Sequence, residues 1–301
     1  MNQPSLLACS ASMLFALSAG GLAADDSVPQ PGAAKVAYQL PGKPAVAVAL
    51  KDVAPIVLSA PPRDNATEGE ARFGPIASYL TEVLGRRVVY EHPLTWGAYQ
   101  ADMQKGHYDL VFDAPHLNGW RLEKLGHNVL VKIPGDYTYV AFVRSDNTRV
   151  TGLKQLAGHT ICAHAPPHLG TLILLGQFDN PSRQPSVVVR NGYDRVYESL
   201  LNGECTAAML SLRHLEKFDH GGRRTRIVYR HRALPNQALS AGPRLSLEEQ
   251  NRIAEALMSP ASEAATARFR AVYGGGKGFA RAANVEYAGL GAYLKNQWGY
   301  D

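Results

Sequence analysis

Cysteine is scarce in this chain, with three residues in 301, at positions 9, 162 and 205. No Cys-x-x-Cys pair exists, and neither Gly-x-Ser-x-Gly nor His-Glu-x-x-His occurs. Histidines lie near acids, but nothing sets a nucleophile beside a base, which argues against an enzyme. Charge is also thin: 19% of residues are charged and the net charge is +5. The densest basic run, Arg223-Arg224-Thr225-Arg226, is short and interrupted. It reads as a solvated edge, so a nucleic-acid partner is not expected. Gly274-Gly275-Gly276 precedes Lys277 without the spacing of a phosphate-binding loop, and reads as a hinge or loop. Beyond the N-terminus, no run is long and apolar enough to span a bilayer.

The N-terminus is apolar from Leu6 to Leu22, and Leu22-Ala23-Ala24 precedes Asp25-Asp26. This pattern predicts an export signal over residues 1–24, although Lys and Arg are missing from its leading part. Residues 25–49 hold Pro29, Pro31, Gly32, Pro41, Gly42 and Pro44 and read as a linker. Cleavage near Ala24 removes Cys9. Cys162 and Cys205 remain, either as one disulfide in an oxidising compartment or as two buried thiols.

With 46% hydrophobic residues, the chain has enough apolar material for two lobes. Its organising stretch is Tyr108 to Arg121, an apolar strand that breaks at Asp113-Ala114-Pro115-His116 and re-enters a helix near Asn118. A second copy of that design runs from Thr160 through His164, Pro166-Pro167 and His168 into an apolar helix, Leu169 to Phe178. Open α/β sheets bind ligands beyond the carboxyl ends of their strands, so two such turns predict two lobes facing one cleft. Upstream, strands at Pro55–Ala60 and Arg87–Tyr90 alternate with helical stripes, predicting parallel strands. Asn128–Ile133 and Tyr137–Arg144 read as two further first-lobe strands. Downstream, Ser186–Arg190, Thr206–Leu210 and Arg226–Tyr229 read as strands between helices at Tyr193–Leu201 and Arg213–Phe218. Ser246 with Glu249 forms a capping box before a helix with Ile253, Ala254 and Leu257 inward.

Four stretches carry a family resemblance: Phe73–Leu80 with Leu84-Gly85 and Val88, Gly106–Val111, Gly152–Gly158 and Gly203–Ala208. In these the chain resembles the periplasmic substrate-binding proteins of phosphate, phosphite and phosphonate ABC transporters. The resemblance implies an α/β, two-lobed periplasmic-binding-protein fold of type II, with two crossing segments at the hinge. The crossings fall near Ala141–Ser145 and Leu234–Ala241. Lobe one is residues 50–143 plus 235–301, and lobe two is 144–234. It further implies a periplasmic monomer that closes on a small anion and serves an inner-membrane permease. A sensor that serves a membrane kinase, or a binder of a metal or other small metabolite, remains the alternative. No catalytic residue and no cofactor are expected. In this type of sheet the strands Thr160–His164 and Thr206–Leu210 are neighbours, so Cys162 on the first and Cys205 just before the second are expected to meet as a disulfide.

The expected site follows. Arg63 offers its fork of donors to an anion. Trp96 and Tyr193 wall the cleft, whereas Tyr99 and Trp120 fall in the core. His116, His164 and His168 are either protonated donors to an anion, neutral metal ligands, or hydrogen-bonded turn residues. Asp113 accepts from the ligand or caps the next helix. Asn191 contacts the ligand or caps its own helix. Family members usually place a Ser/Thr-rich turn at the second-lobe helix start. Here the turn reads Pro166-Pro167-His168-Leu169-Gly170-Thr171, leaving the Gly170 and Thr171 region to supply N–H groups and one hydroxyl.

Overall fold

The computed structural model describes residues 54–295, 297 and 300. The expected signal peptide and linker, and residues 50–53 of the expected first lobe, lie outside the described residues. Three strand-helix units open the chain: β1 (Ile56–Ser59), α1 (Ala66–Leu84), β2 (Val88–Glu91), α2 (Trp96–Gln104), β3 (Leu110–Asp113) and α3 (Pro115–Leu125). Their ends are set locally. The Asn65 side chain accepts from the Glu68 N–H to start α1, and Gly85 ends it at φ 63°. Thr95 caps α2 in the same way, through the Ala98 N–H. Pro115 occupies the first position of α3, where a missing N–H costs nothing. That helix therefore begins three residues ahead of the expected start near Asn118.

β4 (Asn128–Lys132) is followed by the short β5 (Asp136–Tyr137) and then β6 (Tyr139–Arg144). Next come β7 (Thr160–Ala163), α4 (Leu169–Leu175), β8 (Ser186–Val189), α5 (Tyr193–Leu201), β9 (Ala207–Ser211), α6 (Leu212–Phe218) and β10 (Thr225–Arg230). The chain returns through β11 (Leu234–Pro235) and β12 (Ala238–Ala241) to α7 (Leu247–Met258), α8 (Glu263–Phe269), β13 (Ala280–Arg281) and α9 (Asn284–Tyr287).

These strands make a six-stranded sheet, β13-β4-β12-β3-β1-β2, and a five-stranded sheet, β10-β6-β9-β7-β8. β5 and β11 pair antiparallel as a ribbon between them. The first sheet is mixed and not all parallel: β1 runs parallel to β2 and β3, but β12 lies antiparallel to both β3 and β4. The reversal follows from β12 returning from the second sheet. Tyr139–Arg144, expected in the first lobe, pairs antiparallel with β9 and β10 in the second. The first crossing therefore precedes β6, at Pro134–Tyr137, not at Ala141–Ser145. Pro134-Gly135-Asp136 separates the two apolar runs, and the chain changes sheets there.

Each sheet is covered on both faces. Phe73, Ile76, Ala77 and Leu80 of α1 meet Ile253, Ala254 and Leu257 of α7 and Phe269 of α8 over one face of the first sheet. Tyr99, Leu117 and Trp120 pack on the other, joined by Leu294 and Tyr300 of the tail. In the second sheet, Leu169, Ile173 and Leu174 pack on one face and Val196, Tyr197 and Leu200 on the other. Cys162 and Cys205 form a disulfide with their Cα atoms 5.7 Å apart, tying β7 to the chain entering β9. No helix among the described residues is long and apolar enough to cross a membrane.

Candidate ligand-binding cleft

The polar residues gather where strands of both sheets end. Arg63 follows β1, Asp113 ends β3, and His164 follows β7. Tyr193 follows β8, and His214 lies just past β9. At the centre of the first-lobe side is Asp113, whose side chain is wholly buried. Its Oδ1 accepts from Arg63 Nη2 at 3.0 Å and from the Ala114 N–H at 2.7 Å. Its Oδ2 accepts from Arg121 Nη1 and Nη2 at 3.2 and 3.3 Å, and from the Tyr99 hydroxyl. Asp113 is thus a shared counter-ion between two guanidiniums, and it does not cap α3, whose start has no side-chain cap.

Arg63 also donates from Nη1 to Gln237 Oε1 at 3.1 Å, so its plane is fixed from two sides. A quarter of its side chain stays exposed. Burial opposes the Arg63 charge, but Asp113 and the nearby Tyr273, Tyr193 and Tyr99 outweigh it and hold the guanidinium charged. Arg121 is completely buried and reaches Asn118 Oδ1 at 3.0 Å as well as Asp113.

His116 is 2% exposed and bridges the two lobes, with Nε2 2.9 Å from the Pro167 carbonyl. A carbonyl only accepts, so Nε2 carries the hydrogen. Nδ1 is buried and has no hydrogen-bond partner among the described residues. Burial pushes the His116 pKa down to about 4. The ring is therefore neutral near pH 7 and Nδ1 is a bare acceptor, which differs from the protonated-donor alternative among the three readings of this histidine. A second link between the lobes runs from Arg213 Nη1 to the Tyr273 carbonyl at 3.3 Å.

The second-lobe wall is a ladder of rings. His168 stacks on His164 at 4.5 Å between centroids, and His164 meets Tyr193 at 4.6 Å. Tyr193 lies flat on His214 at 3.8 Å and 7°. Ser211 Oγ holds His214 Nδ1 at 2.7 Å. Burial lowers the pKa of His164, His168 and His214, the last to about 4, so the ladder carries no charge near neutral pH. Among the described residues, no group of three or more His, Cys, Asp or Glu is placed to hold a metal ion.

Four expected contacts have other surroundings. The Thr171 hydroxyl donates to the His164 carbonyl at 2.6 Å, so it braces the turn. Gly170 lets the Tyr139 ring approach: a Cβ there would lie 2.7 Å from Tyr139 Cε1. Asn191 is exposed, and Gly192, at φ 109°, takes the position before α5 that Asn191 was expected to fill. Trp96 is 38% exposed on the first turn of α2, edge-on to Tyr99. Arg121, Gln237, His214, Tyr139 and Tyr273 were not read from the sequence as site residues. The signal for His214 was its place just past a strand end, the same one that marked His116 and His164. Arg121 gave none, because a buried arginine on a helix reads like any solvated one.

Two mixed α/β sheets, joined by a two-stranded ribbon and carrying polar residues past the strand ends of both, define the two-lobed binding-protein class. A model of the family described as "ABC transporter, phosphonate, periplasmic substrate-binding protein" matches residues 58–287, and the chain belongs to that family. The phosphate-import protein PhnD of Mycolicibacterium smegmatis is 25% identical over 173 residues, covering 50% of this chain and 53% of that protein. The chain thus spans about half the length of that curated relative. Among solved structures, XAC2383 from Xanthomonas citri bound to ATP superposes with a TM-score of 0.65 at 18% identity, over 81% of this chain and 98% of that one. PhnD1 from Prochlorococcus marinus in complex with methylphosphonate gives 0.58 at 13% identity, over 80% and 97%. At these identities the likeness is one of fold.

Proposed function

We propose that this chain is the periplasmic solute-binding component of an ABC importer and captures a small phosphorus oxyanion between its two sheets. The observation that carries this reading is the Arg63 guanidinium. It stands at the strand ends, partly exposed, with its plane fixed by Asp113 and Gln237. A planar fork held in this way is matched to an oxyanion and loses little freedom when one binds. The hydroxyl-bearing rings Tyr193 and Tyr273 act on the same guanidinium and add hydroxyl donors beside it. The β5–β11 ribbon is where the lobes hinge, and the His116–Pro167 and Arg213–Tyr273 links belong to the closed form. Membership of the family supports the role, and the PhnD relatives support the ligand class. The export signal read at residues 1–24 supports the periplasmic location.

Calorimetric titration of the purified chain with phosphate, phosphite, methylphosphonate and sulfate tests the reading. At least one phosphorus oxyanion is expected to bind in the micromolar range or tighter. Binding of none of them would falsify it.

A further inference from the structure

Resting on the reading of the cleft as an oxyanion site, we propose that the bound species is a monoanion that keeps one acidic P–OH proton, and that the His116 Nδ1 lone pair receives its hydrogen bond. The charges come first. Arg63 and Arg121 share the single carboxylate of Asp113, which leaves one positive charge in a cluster where Arg121 and Asp113 are buried and Arg63 is partly exposed. Nearby, Arg72 is paired with Asp64 and lies over the Tyr273 ring at 5.3 Å, so that pair adds no net charge. Arg213 at the start of α6 and Asp194 at the start of α5 are both exposed and offset each other in water. One charge balances one anion. A second negative charge enclosed beside this cluster would be unpaired, and an unpaired buried charge is expensive.

The hydrogen bonding points the same way. The Pro167 carbonyl fixes the hydrogen of His116 on Nε2, and the buried Nδ1 has no donor among the described residues. Arg63, Asp113 and Arg121 act on this ring from the first lobe, and His168, across from it, feels both Arg63 and His116. Burial, and after it the neighbouring guanidiniums, oppose a proton on Nδ1 and outweigh the opposite pull of Asp113 and the Pro167 carbonyl. A fully ionised oxyanion offers only lone pairs to it, so the two would repel. A ligand with one remaining P–OH meets the lone pair as a donor, while its charged oxygens meet Arg63.

Phosphorus NMR of methylphosphonate bound to the full chain tests this, because the chemical shift reports which species is held. Between about pH 6 and pH 9 the free ligand titrates while the bound signal should stay at the monoanion position. Affinity should fall about tenfold per pH unit above the ligand's own second ionisation. The monomethyl ester of methylphosphonate, a monoanion with no acidic proton, should bind about tenfold or more weakly at pH values below the acid's second ionisation, where both ligands are monoanions. A bound signal at the dianion position, or an ester that binds as well as the acid in that lower pH range, overturns the proposal and leaves the oxyanion reading intact. Failure of phosphate, phosphite and methylphosphonate alike to bind overturns both.

Discussion

Asp113 is the residue on which the first-lobe side of the cleft turns. It accepts from Arg63, Arg121, Tyr99 and its neighbour's N–H with no exposure to water. Removing either arginine therefore has a different consequence from removing the carboxylate. In Arg63→Met the carboxylate keeps Arg121 and Tyr99, so the fold should stand with little change in melting temperature. Binding of the best oxyanion should weaken by about tenfold or more, the loss of one charged hydrogen bond worth roughly 1.5–3 kcal/mol. Asp113→Asn instead leaves two guanidiniums facing each other in a buried site. That change should cost about 3–5 kcal/mol of stability, read by urea unfolding. If Arg63→Met unfolds the protein while Asp113→Asn does not, the assignment of Asp113 as shared counter-ion is wrong.

At the scale of elements, patterning and caps carried most of the information. The helix ends at Gly85, Thr95 and Ser246 were legible because caps are local chemistry read off adjacent residues. Sheet membership was not. β4 and β6 are both apolar runs either side of Pro134-Gly135-Asp136, and nothing in their periodicity says that one closes the first sheet and the other opens the second. The strand-end rule placed His116, His164 and Tyr193 near one another. It missed what decides their chemistry, because burial and the direction of the Pro167 carbonyl depend on parts of the chain far apart in sequence. The β7–β9 pairing brings Cys162 beside Ala208, three residues past Cys205. The disulfide between Cys162 and Cys205 closes a loop with a separation of 43 residues. In the chain-entropy account such a closure contributes about 4 kcal/mol. Reduction of the disulfide-bonded protein should lower its thermal midpoint by several degrees. Alkylation after unfolding without reductant should label neither cysteine, and two labelled thiols would refute the bond.

Across the whole molecule, buried histidines make stability a function of pH. His127 in the first lobe is 2% exposed, lies 3.3 Å from Ser240 Oγ, and has its pKa pushed down to about 3 by burial and then by Arg121. His116 between the lobes is held at about 4, and His214 in the second lobe at about 4, both chiefly by burial. In each case the folded pKa lies below the ordinary histidine value near 6.5. The unfolded chain therefore takes up protons first on acidification. The stability linked to these rings is complete above about pH 6.5 and drains as pH falls toward about 4. For the two rings that are nearly inaccessible, His116 and His127, the linked loss is on the order of 3–5 kcal/mol each, a large part of the roughly 5–15 kcal/mol that holds a typical protein folded. Thermal melts should show a plateau from about pH 7 to 8 and a steep decline between about pH 6 and 4. His127→Asn keeps a polar partner for Ser240 without the titration, and should flatten part of that decline. A midpoint that stays level down to about pH 4 in the unsubstituted protein would show that these rings are not held neutral by the fold. His116 adds a consequence for closure. Its burial depends on the contact with Pro167 in the other lobe, so protonation should favour separation of the lobes ahead of unfolding, seen by small-angle scattering as a rise in radius of gyration on the acid side of the plateau.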